Sequence, residues 1–132
     1  HNPTMELTSL LRLNAPAVIY RSLSPSIYRN LAIEDWLLHN TPASQLALLF
    51  YINAPCVVLG RNQAILAEVN HRWLGRDEDL RIARRFSGGG CVVHDWGNLN
   101  YSIIMPRERF DRRWVAELVA RAIDKLGAPV RV

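Results

Sequence analysis

Residues Arg84 to Asn98 read Arg-Arg-Phe-Ser-Gly-Gly-Gly-Cys-Val-Val-His-Asp-Trp-Gly-Asn, a stretch that neither a core nor an ordinary surface requires. Gly88, Gly89 and Gly90 leave three consecutive residues without a Cβ, so their N–H groups can approach an anion closely, and two arginines stand just upstream. A guanidinium grips two oxygens of a phosphate or carboxylate at once. The chemistry implied is anion binding by bare backbone and arginine together. Val92-Val93 follows as a strand, and then the polar pair His94-Asp95.

Other uses of the pattern fit less well. A plain hairpin needs only a tight turn, and three glycines lose more chain entropy than a turn requires. A Walker P-loop fails because no Gly-Lys-Ser/Thr follows and the glycines lead into a strand instead of a helix. The dinucleotide fingerprint fails for the same reason. Ser87 as a nucleophile would want a strand–turn–helix elbow and a histidine partner; His94 is present and that frame is not. Cys91 beside His94 could form an activated thiolate. In a strand, however, the two point to opposite faces, and a small buried thiol is the commoner state of an unpaired cysteine.

The elements that must position this stretch are read from periodicity and turn chemistry. His1 to Asn14 is expected to be a weakly ordered lead-in, with 15–132 as part of one domain. Ala17 to Ser22 reads as a strand. Ser24-Pro25 opens a helix, a capping hydroxyl before a proline at the first helical position, which Ile27 to His39 continue until Asn40-Thr41-Pro42. Leu46 to Ile52 and Pro55 to Gly60 read as strands joined tightly through Asn53-Ala54. Ile65 to Trp73 is a short helix closed by Gly75, and Arg81 to Phe86 a strand leading into the glycines. Cys91 to His94 and Leu99 to Met105 flank Asp95-Trp96-Gly97-Asn98, which predicts a hairpin. Asp111 caps the last helix, where Trp114, Val115, Leu118, Val119, Ala122, Ile123 and Leu126 form one apolar stripe with Glu117 and Arg121 opposite. Gly127 and Pro129 end it, and Pro129 to Val132 reads as the start of another strand. The pattern is an α/β domain with a mixed, largely antiparallel sheet and flanking helices.

Composition narrows the function classes. A chain of 132 residues that is 49% hydrophobic can bury one core, and two independent domains would be a squeeze. Its longest apolar runs, such as Leu46 to Ile52, fall far short of the roughly 20 residues of a membrane-spanning helix, so no membrane integration is expected. The net charge is +4, and of the 16 basic residues only Lys125 is a lysine. Arginine suits phosphate recognition, although surface solvation or base composition accounts for most of these residues. They are dispersed, with pairs at Arg84-Arg85 and Arg112-Arg113, and do not gather on one face with aromatics between, which speaks against a nucleic-acid partner. Cys56 and Cys91 are too few for a disulfide framework and share no metal-site spacing with His39, His71 or His94. No metal site is expected, and a reducing compartment fits. His1 to Leu13 lacks the continuous apolar run of a secretory signal.

Arg84 to Asn98 resembles the signature of the lipoate-protein ligase A family, which includes mitochondrial lipoyltransferases and lies within the biotin/lipoyl ligase superfamily. The likeness recurs in the family's order and spacing. Tyr28-Arg29-Asn30-Leu31-Ala32-Ile33-Glu34 is similar to its Asn-Leu-Ala-x-Glu helix, and Pro55-Cys56-Val57-Val58-Leu59-Gly60-Arg61-Asn62-Gln63 to its strand ending in Gly-Arg-x-Gln. The resemblance covers Ala17 to the end and implies the N-terminal portion of the family's catalytic domain. It implies that the glycine segment holds lipoate and its adenylate, with Arg85 facing the nucleotide phosphates and Gly90, Cys91, Val92 and Val93 lining the ATP and lipoyl-adenylate site. The residue chemistry agrees: N–H groups and a guanidinium stabilise the phosphate of a mixed anhydride without proton chemistry, and two valines suit an acyl chain.

Other positions carry supporting roles. Ser87, Gly88 and Gly89 belong to the same cradle. Arg61 is either a second anion contact or a surface arginine. His94 and Asp95 are read as orienting the loop by hydrogen bonds in preference to direct acid/base work. Glu34, on the stripe of Ile27, Leu31 and Leu38, needs a partner for its carboxylate, and the loop is the expected one. The family's lysine, which contacts the acyl carboxylate and phosphate, is expected after Val132. Lys125, on the exposed side of the last helix, does not fill that role, so no catalytic residue is assigned within the chain.

The activity implied has two steps. Lipoate and ATP give lipoyl-AMP and pyrophosphate, and a lysine amine of an acceptor lipoyl domain then takes the lipoyl group. Mg²⁺ is expected to neutralise the triphosphate. The acceptors implied are lipoyl domains of 2-oxoacid dehydrogenase complexes or the glycine cleavage H protein, and the location is mitochondrial in a eukaryote and cytoplasmic otherwise. Two alternatives stay open: a lipoyltransferase using preformed lipoyl-AMP or protein-bound lipoyl groups, and a non-catalytic lipoyl or nucleotide binding module.

Overall fold

Periodicity and capping place most elements close to where the sequence predicts them. The computed structural model describes residues 17–70, 72, 80–128 and 130. In chain order these contain β1 (Ala17–Arg21), α1 (Ile27–Asn40), β2 (Leu46–Ile52), β3 (Cys56–Leu59), α2 (Ile65–Glu68), β4 (Arg81–Arg84), β5 (Val92–His94), β6 (Leu99–Ile104), a 3-10 turn (Arg107–Arg109) and α3 (Arg112–Lys125). Strand β2 matches its expected span, and the others are trimmed by one or two residues at one end or both. Helix α2 is a single turn capped at Val69, shorter than expected; 71 and 73–75 of its expected span and closing turn lie outside the described residues, as do 76–79, the lead-in and Pro129, Arg131 and Val132.

Two three-stranded sheets form, ordered β1-β2-β6 and β4-β3-β5. Each is mixed: β1 and β2 run parallel and β2 and β6 antiparallel, while β3 is parallel to β4 and antiparallel to β5. The expected mixed α/β architecture is present, divided between two sheets. Strand β2 is apolar throughout because both of its faces are covered. Leu46 and Leu48 pack with Ala17 against Trp114 and Leu118 of α3. Ala47, Leu49 and Tyr51 face the other way, onto Ile33 and Leu37 of α1.

Helix α1 spans both sheets. Its first turns place Ile27 and Leu31 on Cys56, Val58 and Ala83 of the second sheet, while its later turns reach the first. A helix serving two sheets changes its contact face along its length, so Leu37 is buried and Leu38, expected on the stripe, is 60% exposed. The cap also moves. Ser26, not Ser24, is the N-cap, its Oγ accepting from Arg29 N–H, and the Ser24 hydroxyl instead accepts from Ser26 N–H. Helix α3 begins as expected, with Asp111 accepting from Arg113 N–H at 2.8 Å and Trp114 N–H at 3.3 Å, and ends at Gly127 with φ +87°. No helix among the described residues is long and apolar enough to cross a membrane.

The hairpin expected between β5 and β6 is not formed. Strand β5 pairs with β3 (Val58↔Val92 to Cys56↔His94) and β6 with β2 (Ile52↔Leu99 to Ala47↔Ile104). Residues 46–58 and 92–104 are therefore one antiparallel ribbon bent between the sheets. The bend takes four steps from Ile52 to Cys56 and five from Leu99 back to His94, so one extra residue on the second strand makes the corner. Asn53-Ala54 and Asp95 to Asn98 are the two sides of that corner.

Candidate functional site

The glycine segment leaves β4 and enters β5 under the control of two arginines with separate duties. Arg84 Nη1 donates to the carbonyls of Gly60, Arg61 and Gln63 at 3.0, 3.2 and 2.6 Å, and Gln63 Oε1 accepts from Gly60 N–H at 2.9 Å. It pins the Gly60–Gln63 turn. Arg85 turns onto the glycines: Nε donates to Gly88 O at 3.2 Å, and Nη2 to Gly88 O at 2.9 Å and Gly90 O at 2.8 Å. Arg61 joins the loop through its backbone, donating N–H to Ser87 O at 3.0 Å, while its side chain is exposed.

The glycines divide by what surrounds them. A Cβ on Gly60 would lie 1.9 Å from Gly89 O, and Gly89 itself has φ +97°, a conformation that only glycine adopts freely. Those two are glycine because the protein packs there. Gly88 and Gly90 have nothing within 4 Å of an added Cβ. With their carbonyls taken by Arg85, the N–H groups of 88–90 have no acceptor among the described residues. Bare, unpaired donors beside a guanidinium, open to solvent, are the groups that anion binding requires.

Below this rim lies a cleft of about 270 Å³ where α1 and both sheets meet. The second sheet contributes Val58, Arg85, Ser87, Val92 and His94, α1 contributes Leu31 and Glu34, and the first sheet Tyr51 and Asn100 to Ser102. Arg85, Ser87, Val92, His94 and Glu34 thus line one cleft. Val93 is not: alternation puts it on the outer face, 74% exposed. Cys91 is half-buried before β5 and does not line the cleft.

Three side chains have partners other than those expected. Glu34 does not meet the glycine loop; it accepts from Tyr51 Oη at 3.3 Å and from Ser102 Oγ. Burial, reinforced by Glu34, raises the Tyr51 phenol well above its ordinary range, so it stays a donor. Asp95 orders its own corner, accepting from Gly97 N–H at 2.8 Å. His94 Nδ1 lies 3.0 Å from Asn53 Nδ2. Burial first, and Arg85 second, hold its pKa below the ordinary imidazole value.

Comparison with known proteins gives this geometry a family. The model of the lipoyl protein ligase A/B catalytic domain matches residues 26–132. The chain belongs to that family. Lipoate–protein ligase 1 of Staphylococcus aureus is 47% identical over 103 residues, covering 74% of this chain and 30% of the relative. The mitochondrial lipoyl amidotransferase LIPT1 of Homo sapiens is 40% identical over 108 residues, 81% of this chain and 29% of the relative. Among solved structures, a bipartite lipoate protein ligase of Thermoplasma acidophilum, described with its E2 lipoyl domain, aligns with a TM-score of 0.80 at 26% identity over 90% of this chain and 49% of its own. The chain spans about a third of the length of the curated relatives it matches.

Within this lipoyl ligase A/B domain, sequence reasoning missed Arg84 as a turn clamp, and it missed Tyr51, Ser102 and Asn53. One signal was available. Asn30 shares the inward face of α1 with Ile27 and Leu31, and an amide on an apolar stripe demands a buried partner. Among the described residues no group of three or more His, Cys, Asp and Glu gathers as a metal site would.

Proposed function

We propose that this domain is the ligand cradle of a lipoate-protein ligase. A lipoate carboxylate oxygen attacks the α-phosphorus of ATP, the α–β bond breaks and pyrophosphate leaves. The lysine amine of an acceptor lipoyl domain then attacks the acyl carbonyl, forming an amide as AMP departs and the amine proton is lost. The observation that carries this reading is the pair Gly88 and Gly90, whose open faces and unpaired N–H groups stand beside Arg85 at the rim of a cleft walled by Leu31, Val58 and Val92. Phosphate belongs at the rim and the acyl chain in the cleft.

Arg85 acts on this site in two ways: it shapes the rim by holding two loop carbonyls, and its charge favours the adenylate phosphate. Gly90 and Cys91 shape the rim with it, and Val92 meets the acyl chain. Lys125 is exposed on α3 and is not placed to contact the acyl carboxylate. Mg²⁺ would accompany the triphosphate; no cluster among the described residues would ligate it. The acceptor is a lipoyl domain of a 2-oxoacid dehydrogenase complex or the glycine cleavage H protein, a reading supported by the archaeal relative described with its E2 lipoyl domain. LIPT1 supports a mitochondrial location in a eukaryote and favours the second reading, a lipoyltransferase that uses preformed lipoyl-AMP or protein-bound lipoyl groups.

Incubating the full-length protein with lipoate, labelled ATP and an acceptor lipoyl domain separates these readings. A ligase releases pyrophosphate and lipoylates the acceptor. Transfer only from added lipoyl-AMP or from an added lipoylated donor protein indicates the transferase, and adenylate binding without transfer from either donor the binding module. Arg85→Ala is expected to weaken adenylate binding about tenfold.

A further inference from the structure

We infer that Ser22, Asn30 and Asn53 form a buried relay fixing His94 as its Nε2–H tautomer, a standing donor to the acyl carbonyl held in the cleft. The second half of this inference rests on the cradle reading above.

The relay follows from what each group can present. An amide offers an oxygen that accepts or a nitrogen that donates. Asn30 faces the backbone carbonyl of Ser24 at 2.9 Å. A carbonyl accepts only, so the Asn30 atom there is Nδ2, which leaves Oδ1 to accept from Ser22 Oγ at 2.6 Å. The same Nδ2 lies 2.8 Å from Asn53, whose facing atom must therefore be Oδ1. Asn53 then turns its own Nδ2 to His94, 3.0 Å from Nδ1. Nδ1 must accept, and a neutral ring that accepts at Nδ1 carries its proton on Nε2. Asn30 and Asn53 are both 0% exposed, so reversing either amide would strand buried polar groups. The relay starts from an immovable backbone carbonyl and ends at the cleft.

The charged and titratable groups around the ring are Arg85 from the end of β4, Glu34 from α1, Tyr51 from β2 and Cys56, paired opposite His94 on β3. Burial first, and Arg85 second, oppose the imidazolium and keep the ring neutral. With Nδ1 occupied, His94 does not shuttle protons; it orients the acyl carbonyl as a hydrogen-bond donor.

Two-bond proton–nitrogen correlation spectra of the ¹⁵N-histidine-labelled protein read the tautomer directly. His94 is expected with Nε2 protonated and Nδ1 bare from about pH 6 to about pH 8. In Asn53→Asp a carboxylate accepts from Nδ1–H, so Nε2 becomes a bare acceptor at about pH 8 and regains its proton only as the ring ionises at lower pH. Binding of a nonhydrolysable lipoyl-adenylate analogue to this variant is expected to be about tenfold weaker near pH 8 and to recover toward pH 6, with the unaltered protein flat. A purely structural defect gives no such recovery. An Nδ1–H tautomer in the unaltered protein overturns the relay whether or not any variant folds, and Asn53→Asp with unchanged analogue affinity and pH profile overturns the contact of His94 with the acyl carbonyl. Failure of the unaltered protein to bind the analogue removes the cradle reading and the acyl contact, while the tautomer measurement still decides the relay.

Discussion

At the residue scale, the glycines make the most discriminating prediction, because their environments separate fold from function. Gly60→Ala drives a Cβ into the carbonyl of Gly89 at 1.9 Å, so the loop must shift. It is expected to destabilise the domain by about 1–3 kcal/mol in urea unfolding and to weaken binding of the adenylate analogue as well. Gly88→Ala and Gly90→Ala meet no protein atom; their stability should stay within about 0.5 kcal/mol of the parent, with analogue affinity falling about tenfold or more. Wild-type affinity in both would remove the anion role of the bare backbone. His94 adds a pH dependence of stability. Its folded pKa lies below the ordinary value, so above about pH 6.5 the ring is neutral in both states and contributes no slope. As pH falls below that, the unfolded chain takes up the proton first and stability is lost. Urea unfolding at about pH 7.5 and about pH 5.5 should show a drop that is smaller in His94→Gln, and an equal drop in both proteins would contradict it.

At the element scale, α1 joins the two sheets, and Glu34 sits where its contact face changes from one to the other. Its carboxyl takes the hydroxyls of Tyr51 on β2 and Ser102 on β6. Glu34→Leu leaves both without that acceptor in a half-buried place and is expected to lower stability by about 1–3 kcal/mol. Restoration by Tyr51→Phe combined with Ser102→Ala would identify the unmet hydroxyls as the cause, and an undiminished loss in the triple variant would refute it. Why the sequence missed this partner is instructive. Helical spacing reveals that Glu34 faces inward, but which strand lies opposite depends on pairings across 68 residues. The same limit applies to the corner. Asp95 to Asn98 has turn chemistry, and Asp95 does hold Gly97, yet local chemistry cannot tell a hairpin from a bend in a ribbon whose other strand is 46–58. By contrast β2, the cap at Asp111 and the stop at Gly127 are local or periodic features, and all three were legible. Arg85 and the glycines were legible by residue type; Asn53 was not, since its importance comes only from what it touches.

At the scale of the whole molecule, the cleft draws its walls from both sheets and from the helix that spans them. Among the elements, the sheets are joined by the two sides of the corner and by α1, so a ligand seated between them adds contacts to each. Occupancy should therefore stabilise the domain as one unit. At a hundredfold excess over its dissociation constant, a ligand that binds only the folded state contributes about 2.7 kcal/mol. For a domain of this size that raises Tm by roughly 5–16 °C, taking about 2–6 °C per kcal/mol. The distribution of the effect is the sharper test. Amide hydrogen exchange should slow on adding the adenylate analogue in β3 and β5, beside the loop, and also in β2 and β6, where Tyr51 and Ser102 face the cleft, while α3, on the far side of β2, changes least. Protection confined to 84–94 would mean that the ligand touches only the glycine rim and that the first sheet forms no part of the site. Gly88→Ala separates cause from coincidence: at a ligand concentration near the parent's dissociation constant it is expected to reduce the protection in both sheets together, because the first sheet feels the ligand only once the rim has captured it.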